Sequence, residues 1–546
     1  MSPALHLLLA LSPSVAAQTT SGQSVAGLEL AELHTRTADV RALQVQGEVV
    51  LAATEGGLEF YGLDGERLGH VVQELPGSSL LSVGMYQGEL AVGSAFGGAA
   101  TWNGRGFETL VAGGENATGS VVAITQDHWV TRGGSVDGAP ELEGLVVDAV
   151  QWRGGLVVGT QEGFLHQVVD GEVVTSVLPC PIVDLYAEAD SVRVACMVSA
   201  YTLTSTGDLV AERVRASAAG PGAWGSAQGE LWVDGAVLAR VPHRITAIER
   251  VDEVWFVGTE QGLYRIEQDL ELLTPQGQIC GNFVTGAARF QGELIVSTFQ
   301  DGACRFDGDI WHRIEGLPSE LMNDVVVYED AAWFATGHGL ARWDGGAVVV
   351  YPGIPWGIPR GEPGTSNAAI TALAVGSDRL WIADVVGPDS VDSDGYWRRH
   401  RLSVFGTSYQ AAAACGERAW VASEDAGVSQ WTGWSWQHYD ARGDLPDDWV
   451  MAVACEGKTA WAGTYRDGLW KYTGGRWTQV DTPDGWSLSL ARGEGGVWYG
   501  TLGGVWFVGD DGVNQAVWVM DQRVHQVSVL DGEVVIGTEG GVVVYR

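Results

Sequence analysis

A short phrase of aromatic, glycine and threonine residues returns along this chain at nearly regular intervals. Its clearest copies lie at 254–259, 461–464, 498–501 and 535–538, and each ends in Gly-Thr. With the Thr or its equivalent as a landmark, the 546 residues divide into fourteen repeats about 37 residues apart. The landmarks fall at 54, 94, 131, 160, 199, 234, 259, 298, 336, 384, 423, 464, 501 and 538. Those at 131, 199, 234 and 384 deviate from the phrase and are placed partly by spacing.

Each repeat has the pattern of four short strands. Within 448–480, apolar and aromatic runs at 450–454, 459–464, 469–472 and 476–480 are separated by turns rich in Gly and Asp. No long stretch has the 3.6-residue period of a helix. Four strands in about 40 residues, repeated, indicate the blades of a β-propeller.

Fourteen blades are too many for one ring, so the sequence predicts an all-β chain of two seven-bladed β-propellers. The boundary falls near 274–277, which gives a first propeller at 25–275 and a second at 276–546. The last repeat ends after its third strand. We expect the apolar segment 28–33 to supply the missing fourth strand, which would cover an open sheet edge.

Composition restricts the partners. Lys and Arg total 31 against 68 Asp and Glu, a formal net charge of −37. This balance excludes nucleic acid and anionic membranes as natural partners, because phosphate binding needs cationic side chains. No segment is long and apolar enough to predict a membrane-spanning helix.

The first residues indicate export. An apolar run followed by Val15-Ala16-Ala17 resembles a secretory signal peptide at 1–17, although no Lys or Arg precedes it. A disordered tail is the alternative. We therefore expect a periplasmic or extracellular protein without a membrane span.

Six cysteines are too few for a disulfide scaffold in a chain of this length. Cys180 and Cys196 are spaced for one pair, and Cys280 and Cys304 for another. For Cys415 and Cys455, at matching positions of successive repeats, we favour buried free thiols.

The repeat resembles a known family. Trp-x-Gly-Thr-x-x-Gly-Leu-x-Arg with an Asp-Gly-x-x-Trp tail, best matched at 255–265 and 333–346, is similar to the two-component regulator propeller repeats. That resemblance implies the periplasmic sensor of a bacterial hybrid histidine kinase, with fourteen blades in two propellers and extracellular ligands that are often glycan fragments. The family's immunoglobulin-like module, membrane helix, kinase and DNA-binding regulator are absent from this sequence, so signalling would need a separate partner.

Catalytic motifs are not found. Gly457-Lys458-Thr459 has Ala452 where a phosphate-binding loop requires Gly, and neither His-Glu-x-x-His nor Gly-x-Ser-x-Gly occurs. We predict no cofactor, with Ca²⁺ as the one alternative. The segment 390–397 resembles the Asp box of sialidases, but its Gly comes one residue late. Asp389, Asp392 and Asp394 are candidate ligands for a weak Ca²⁺ site, and a solvated acidic turn is the alternative.

The turns between the second and third strands are the candidate ligand site, because such turns gather at one end of a propeller channel. Aromatic, acidic and arginine side chains suit a sugar, whose C–H faces and hydroxyls they contact. The candidates in the second half are Phe299, Asp301, His338, Glu424, Asp425, Tyr465, Arg466 and Asp467. Trp356 and Arg360, in a long proline-rich loop, are candidates for covering the channel mouth. Ordinary turn residues and a structural spacer are the respective alternatives.

The sequence thus predicts a non-catalytic recognition module that binds a glycan fragment or a partner protein through loops at a channel face. One alternative is a secreted carbohydrate-active enzyme, a hydrolase or lyase, with a carboxylate pair between the rings. A cell-surface protein-interaction scaffold is the other. Trp431, Trp434 and Trp436 are interpreted as packing between blades rather than as a ligand platform.

Overall fold

The computed structural model describes residues 26–113, 119–353, 363–400, 404, 406–482, 485–512, 514–519 and 523–546. Every helix or strand element within these ranges is a β-strand, which confirms the all-β prediction. The strands form fourteen antiparallel sheets, here called blades 1–14 in chain order. Thr37–Gln276 forms one compact unit, and Gly277–Arg546 with residues 26–36 forms a second.

The N-terminal strand β1 spans Leu30–His34. Blades 1–7 of the first unit consist of β2 (Val40–Gln46), β3 (Val49–Thr54), β4 (Gly57–Gly62), β5 (Arg67–Val71); β6 (Leu80–Tyr86), β7 (Glu89–Ser94), β8 (Gly98–Trp102), β9 (Phe107–Ala112); β10 (Val121–Ile124), β11 (Trp129–Thr131); β12 (Val146–Trp152), β13 (Gly155–Thr160), β14 (Phe164–Val169), β15 (Glu172–Val177); β16 (Ile182–Ala187), β17 (Ser191–Cys196), β18 (Ser199–Thr204), β19 (Leu209–Glu212); β20 (Ala218–Gly220), β21 (Ala223–Gly225), β22 (Glu230–Val233), β23 (Ala236–Arg240); and β24 (Ile245–Val251), β25 (Val254–Thr259), β26 (Gly262–Ile266), β27 (Leu270–Leu272). Blade 3 has two named strands in the described residues, whereas the other thirteen sheets have four.

Blades 8–14 of the second unit consist of β28 (Val284–Phe290), β29 (Glu293–Thr298), β30 (Ala303–Phe306), β31 (Trp311–Arg313); β32 (Met322–Tyr328), β33 (Ala331–Thr336), β34 (Gly339–Trp343), β35 (Val348–Tyr351); β36 (Ile370–Val375), β37 (Arg379–Asp384), β38 (Pro388–Asp392), β39 (Trp397–Arg399); β40 (Tyr409–Cys415), β41 (Arg418–Ser423), β42 (Val428–Trp431), β43 (Trp436–Tyr439); β44 (Val450–Glu456), β45 (Thr459–Thr464), β46 (Leu469–Thr473), β47 (Arg476–Gln479); β48 (Ser489–Gly493), β49 (Gly496–Thr501), β50 (Gly504–Gly509), β51 (Asn514–Val517); and β52 (Val524–Leu530), β53 (Glu533–Thr538), β54 (Gly541–Tyr545), with β1.

Both rings close. The first strand of each blade, called here the inner strand, packs beside the inner strands of its two neighbours, and β2 meets β24 while β28 meets β52. The fold prediction of two seven-bladed β-propellers is therefore confirmed.

The landmark Thr is a turn-forming residue. In blade 12, the Thr464 hydroxyl donates to the carbonyl of Gly468 (3.0 Å) and accepts from the Asp467 amide (2.9 Å). Gly468 has φ +73°, a conformation that a side chain would strain. The buried hydroxyl thus gives the Asp467 amide a partner and adds to the bond that the Thr464 amide already donates to the Gly468 carbonyl. The same hydroxyl-to-carbonyl bond occurs at Thr54, Thr259, Thr298, Thr336, Thr501 and Thr538.

Two landmarks assigned by spacing were wrong. In blade 5 the equivalent residue is Cys196, which pairs with Ile182 at the position where Thr464 pairs with Val450. In blade 6 it is Ser226, whose hydroxyl accepts from the Glu230 amide (2.9 Å). The repeated phrase is not recognisable in these two blades, because blade 5 has Cys in place of Thr and the strands of blade 6 are short. Regular spacing therefore placed the landmarks at 199 and 234 instead.

The N-terminal strand completes the last blade, as predicted. β1 pairs antiparallel with β54, and the Glu29 amide donates to the Arg546 carbonyl (2.6 Å). The Arg546 guanidinium contacts Glu32 on β1 (2.6 Å) and also Glu533 at the start of β53. Residues 26–36, placed with the first propeller from the sequence, thus lie in the second unit because β1 pairs there.

All six cysteines form disulfides. The Cys180–Cys196 and Cys280–Cys304 pairs agree with the predicted spacing. The prediction of free thiols at Cys415 and Cys455 was wrong. Cys415 is the last residue of β40 and Cys455 the last but one of the neighbouring strand β44, and their Cα atoms are 6.0 Å apart. This third disulfide joins blades 11 and 12.

Aromatic side chains fill the spaces between blades. Trp381 contacts Trp436 (ring centroids 5.7 Å) and Trp431 (6.1 Å). The Trp436 indole N–H donates to Nδ1 of His400 (3.3 Å), and burial lowers the pKa of His400 to about 3, so its ring is neutral. Trp431 and Trp436 therefore pack as predicted, whereas Trp434 is 90% exposed.

A candidate ligand-binding mouth in the second unit

A cavity of about 510 Å³ occupies the channel of the second unit. Residues of all seven inner strands, or residues directly before them, line it. Because strands one and two are antiparallel, each inner strand begins beside the turn between strands two and three. The predicted turns therefore gather at one end of this channel, called here the upper mouth.

Two sets of residues surround the upper mouth: those directly before the inner strands, and those at the β-bulges near the start of these strands. In blades 8, 9, 11 and 12, the residue before the inner strand accepts a hydrogen bond from the residue after strand two, as in Phe299 N to Phe283 O (2.9 Å) and Tyr465 N to Trp449 O (3.0 Å). A bulge follows, between Val450 and Ala452 in blade 12, which takes one residue out of the ladder. The residue freed by such bulges lines the cavity in blades 8–12 and 14: Thr285, Asn323, Thr371, Gln410, Met451 and His525.

One aromatic cluster lies where blades 12 and 13 meet. Tyr465 stacks on Trp449 with ring centroids 3.9 Å apart and planes at 11°, and Trp486 meets the Tyr465 ring edge-on at 4.8 Å. The Arg466 guanidinium lies 5.4 Å from the centroid of the Tyr465 ring. The three rings support one another and are only partly buried.

A second aromatic cluster lies where blades 14 and 8 meet. Phe283 stacks on Phe299 (5.0 Å) and contacts the His525 ring (4.3 Å). Nε2 of His525 is 3.0 Å from the carboxylate of Glu539, which also lies 3.6 Å from the Arg523 guanidinium. Blades 12, 13, 14 and 8 are consecutive in the ring, so the two clusters form one aromatic arc.

Blades 9–11 carry polar side chains at the equivalent positions. Asn323 donates to the Ile370 carbonyl (2.6 Å), which leaves its own side-chain oxygen available. Thr371 donates to the Ala383 carbonyl (3.1 Å). Gln410 lines the cavity, and its amide has no hydrogen-bond partner among the described residues. We call Asn323, Thr371 and Gln410 the polar arc.

Phe299, Tyr465 and Arg466 thus belong to the aromatic arc, and the other predicted turn residues have local contacts. His338 Nδ1 is 3.2 Å from the Ser319 hydroxyl. Asp425 accepts from both the amide and the hydroxyl of Thr407 (2.8 Å each), which fixes the preceding loop. The Asp467 carbonyl accepts from the Trp470 indole (3.1 Å).

Two predicted acids remain. Asp301 lies 3.8 Å from the Arg36 guanidinium, and burial raises its pKa despite that cation. The Glu424 amide donates to the Ser408 carbonyl (3.2 Å), which places Glu424 at the mouth beside blade 11. Trp356 and Arg360 lie outside the described residues.

Two of the three candidate Ca²⁺ ligands accept hydrogen bonds from neighbouring protein groups. Asp389 is buried and accepts from the Ser366 amide (2.6 Å) and hydroxyl (2.9 Å), and burial, with Asp384 beside it, raises its pKa to about 7. Asp392 accepts from the Tyr396 amide (2.9 Å), and Asp394 is exposed in the following turn. No group of three or more His, Cys, Asp or Glu in the described part of the chain is arranged to hold a metal.

Carboxyl groups also lie on the inner strands. In the second unit, Asp324 accepts from the Leu373 amide of the next blade (2.8 Å), and burial raises its pKa to about 7. In the first unit, Asp148 accepts from Leu185 N (2.8 Å) and Asp184 from Ala219 N (2.7 Å). Each of these carboxyls holds its own blade to the next one.

Asp148 and Asp184 also hydrogen-bond to one another. Burial raises the pKa of Asp148 to about 6, and burial together with Asp148 raises that of Asp184 well above its usual range. The pair therefore holds a shared proton near neutral pH.

Sequence reasoning missed Phe283, Trp449, Trp486 and His525. The first three each lie fifteen residues before their landmark Thr, and His525 lies thirteen before Thr538. A search of the residues that precede each inner strand would have found them. The turns alone supplied only half of the aromatic arc.

The fold defines the class: the chain is a double seven-bladed β-propeller protein. No family model and no curated protein sequence matches it. PorZ of Porphyromonas gingivalis, described as an essential bacterial surface component of the type-IX secretion system, is similar in structure at a TM-score of 0.65 and 14% identity, over 94% of this chain and 86% of that one.

Two further solved structures are similar. The GH74 enzyme of Niastella koreensis has a TM-score of 0.61 and 11% identity, with 95% of this chain and 99% of that one covered. The extracellular domain of the putative hybrid two component system BT4673 from B. thetaiotaomicron has a TM-score of 0.41 and 15% identity, covering 95% and 82%. The likeness to PorZ and to the GH74 enzyme shows the shared propeller fold alone, because a fold does not determine an activity.

No helix among the described residues is long and apolar enough to cross a membrane. Three disulfides are typical of proteins from oxidising compartments.

Proposed function

We propose that this protein is an exported, non-catalytic recognition module that binds a glycan fragment at the upper mouth of its second unit. One observation carries the proposal: one ring of blades has an aromatic arc on blades 12, 13, 14 and 8 and a polar arc on blades 9–11, and His525 of the first arc lines the same cavity as the polar arc. Binding sites for small ligands combine apolar and aromatic walls with a few placed polar groups.

The chemistry of a sugar fits both arcs. A pyranose ring has apolar C–H faces, which are stabilised by burial against Trp449 and Trp486. Its hydroxyls both donate and accept hydrogen bonds, as the Gln410 amide does. Gln410 lacks a partner among the described residues, so a ligand that bonds to it displaces only water.

The edge of the upper mouth carries both positive and negative side chains. Arg466 has no carboxylate within 4 Å in the part of the chain that is described, while Glu539 is paired with His525 and Arg523. Such a rim contacts hydroxyls through charge-assisted hydrogen bonds. An apolar partner surface would leave these groups unpaired, which disfavours an apolar protein partner at this mouth.

The proposal also includes export of the protein and a role as a sensor. The three disulfides support a periplasmic or extracellular location, and the repeat phrase supports kinship with the two-component regulator propellers. In such a role the bound glycan would be reported through a separate signalling partner.

The test is an array of defined oligosaccharides probed with the exported chain, followed by titration calorimetry of each bound sugar. Trp449→Ala should lower the affinity at least tenfold, because about 1.4 kcal/mol of lost stacking is a factor of ten. Trp434→Ala is the matched control, since Trp434 is exposed on blade 11 and outside the mouth.

Two results would contradict the proposal. Either no oligosaccharide binds, or Trp449→Ala and Trp434→Ala bind equally. Chromatography of the bound sugar after overnight incubation checks for turnover, and cleavage would replace the recognition module with an enzyme.

A further inference from the structure

We propose that the channel below the upper mouth receives the end of the glycan, so that the second unit recognises a chain terminus rather than an internal stretch. This inference rests on the proposed function. It names which part of the ligand enters the site.

The cavity continues from the mouth down the inner strands. It is lined from Thr285 to Arg289 on β28 and from His525 on β52 to Asp531 directly after that strand, so the lining runs from the upper to the lower parts of both strands. The volume of about 510 Å³ lies within the range of pockets for small ligands, roughly 300–1,000 Å³. Such a space suits a terminal sugar or two rather than a polymer.

Small side chains keep the channel open on one side. Ala411 and Ala412 on β40 line the cavity and are only partly buried, and Ala452 lies on the neighbouring strand β44. Directly above them, Gln410 presents its unpartnered amide at the mouth. A sugar that passes Gln410 therefore meets space rather than a filled core.

The lower end is held by contacts between blades. Arg289 of blade 8 bonds to Glu533 of blade 14 (3.2 Å), and the Tyr328 hydroxyl of blade 9 bonds to the Asp378 carbonyl at blade 10 (3.1 Å). The Cys415–Cys455 disulfide joins blades 11 and 12 at the same end. The aromatic arc lies at the opposite end, so a sugar that stacks there enters end first.

The first test compares capped ligands. The probe is the tightest-binding oligosaccharide from the array, used free, with a bulky aromatic amine coupled to its reducing end, or with a benzylidene group closed on its non-reducing residue. One cap should lower the affinity at least tenfold and the other should leave it nearly unchanged. Equal affinities for the free and both capped forms would overturn the inference.

The second test fills the channel. Ala412→Leu should lower the affinity at least tenfold while its thermal unfolding remains cooperative. Ala149→Leu is the matched control, because Ala149 holds the same position on an inner strand of the first unit, eleven residues before the landmark. If Ala412→Leu binds the free oligosaccharide like the unchanged protein, the ligand does not enter the channel.

The two proposals fail in distinguishable ways. If Trp449→Ala loses binding while both capped sugars bind fully, the glycan site is supported and the entry of a chain end into the channel is contradicted. Absence of any glycan binding removes both.

Discussion

The two units present the same seven-bladed scaffold with different side chains at equivalent mouth positions. Fifteen residues before the landmark, the second unit has Phe283, Trp449 and Trp486, whereas no aromatic residue occupies that position in the first unit. In blades 1, 2, 4, 5 and 7 of the first unit, this position is occupied by Asp39, Ser79, Leu145, Pro181 and Arg244 respectively. One residue per blade thus changes the chemistry of a channel mouth without changing the fold.

The first unit uses its mouth for contacts between blades. Arg41 lies 2.9 Å from Asp39 and donates to the Ser79 hydroxyl at blade 2 (2.7 Å). Leu145 is exposed at blade 4, and its amide is capped by the Glu162 carboxylate (2.8 Å). Charged pairs and aliphatic groups of this kind stabilise a ring but offer no flat aromatic face to a sugar.

The inner strands also differ. The first unit has two neighbouring carboxyls, Asp148 and Asp184, that share a proton, whereas Asp324 of the second unit stands in a blade whose neighbour has Ala372 at the equivalent place. Both units should therefore lose stability as pH rises towards neutrality, the first through the coupled pair and the second through Asp324, whose pKa burial raises to about 7.

The largest expected effect concerns the disulfides. Replacing Cys415 and Cys455 together by Ser should destabilise the second unit by about 3–4 kcal/mol, because this bond closes a loop with a sequence separation of 40. The same change at Cys180 and Cys196, with a separation of 16, should cost about 1 kcal/mol less in the first unit. Hydrogen exchange read by mass spectrometry reports each unit separately. Equal losses, or a larger loss in the first unit, would contradict the loop argument.

The next effect compares the two mouths directly. Trp486→Ala in the second unit should weaken glycan binding about tenfold, since the Tyr465 ring also loses its edge contact. Leu145→Ala in the first unit should leave the affinity unchanged. Calorimetric titration of both variants with the glycan measures the two affinities. A comparable loss of affinity in Leu145→Ala would show that the ligand does not bind at the upper mouth of the second unit.

The third effect is the pH response of the acid pair. Folding raises the pKa of Asp148 from 3.8 to about 6, so the folded protein binds its proton more tightly, and stability falls as pH rises through this window. Asp148→Asn should therefore narrow the difference in melting temperature between about pH 4 and pH 8. Asp324→Asn should narrow the corresponding difference in the second unit, because burial raises the pKa of Asp324 to about 7. An unchanged pH profile for Asp148→Asn would show that the pair does not govern the first unit.

The smallest effect concerns the strand that closes the second ring. The hydrogen bond from His34 and the contacts with Arg546 hold the pKa of Glu32 at about 2, below its usual 4.5. The stabilisation is present above pH 4.5 and is lost as pH falls towards 2. Glu32→Gln should cost less than about 1 kcal/mol at neutral pH, because these groups are partly exposed. Hydrogen-exchange rates of the β1 and β54 amides measure this loss of stability. The variant and the unchanged protein should exchange at the same rate near pH 2, where Glu32 is protonated.

The sequence predicts this fold well because each blade repeats a physical requirement. Thr464 and its equivalents are recognisable since a tight turn needs their hydroxyl, and Gly468 since its backbone angle excludes a side chain. Cys196 and Ser226 were not recognised, because in their blades a residue other than Thr occupies the landmark position.

The site is less predictable from sequence. Tyr465 and Arg466 were found through their turn, but Trp449 became visible only once the ladder placed it beside Tyr465. The partners of Asp425 and Asp389 are local loops, which no periodicity indicates. The pairing of Cys415 with Cys455 depends on the distance between neighbouring inner strands, and a repeat spacing does not give that distance.

The most direct measurement is a crystal structure of the protein with its tightest-binding oligosaccharide. The account predicts a sugar ring against Trp449 or Trp486, a hydroxyl bonded to the Gln410 amide, and the chain terminus in the channel between β28 and β40. Sugar density at Trp434, or at any site in the first unit with the upper mouth of the second unit empty, would contradict it.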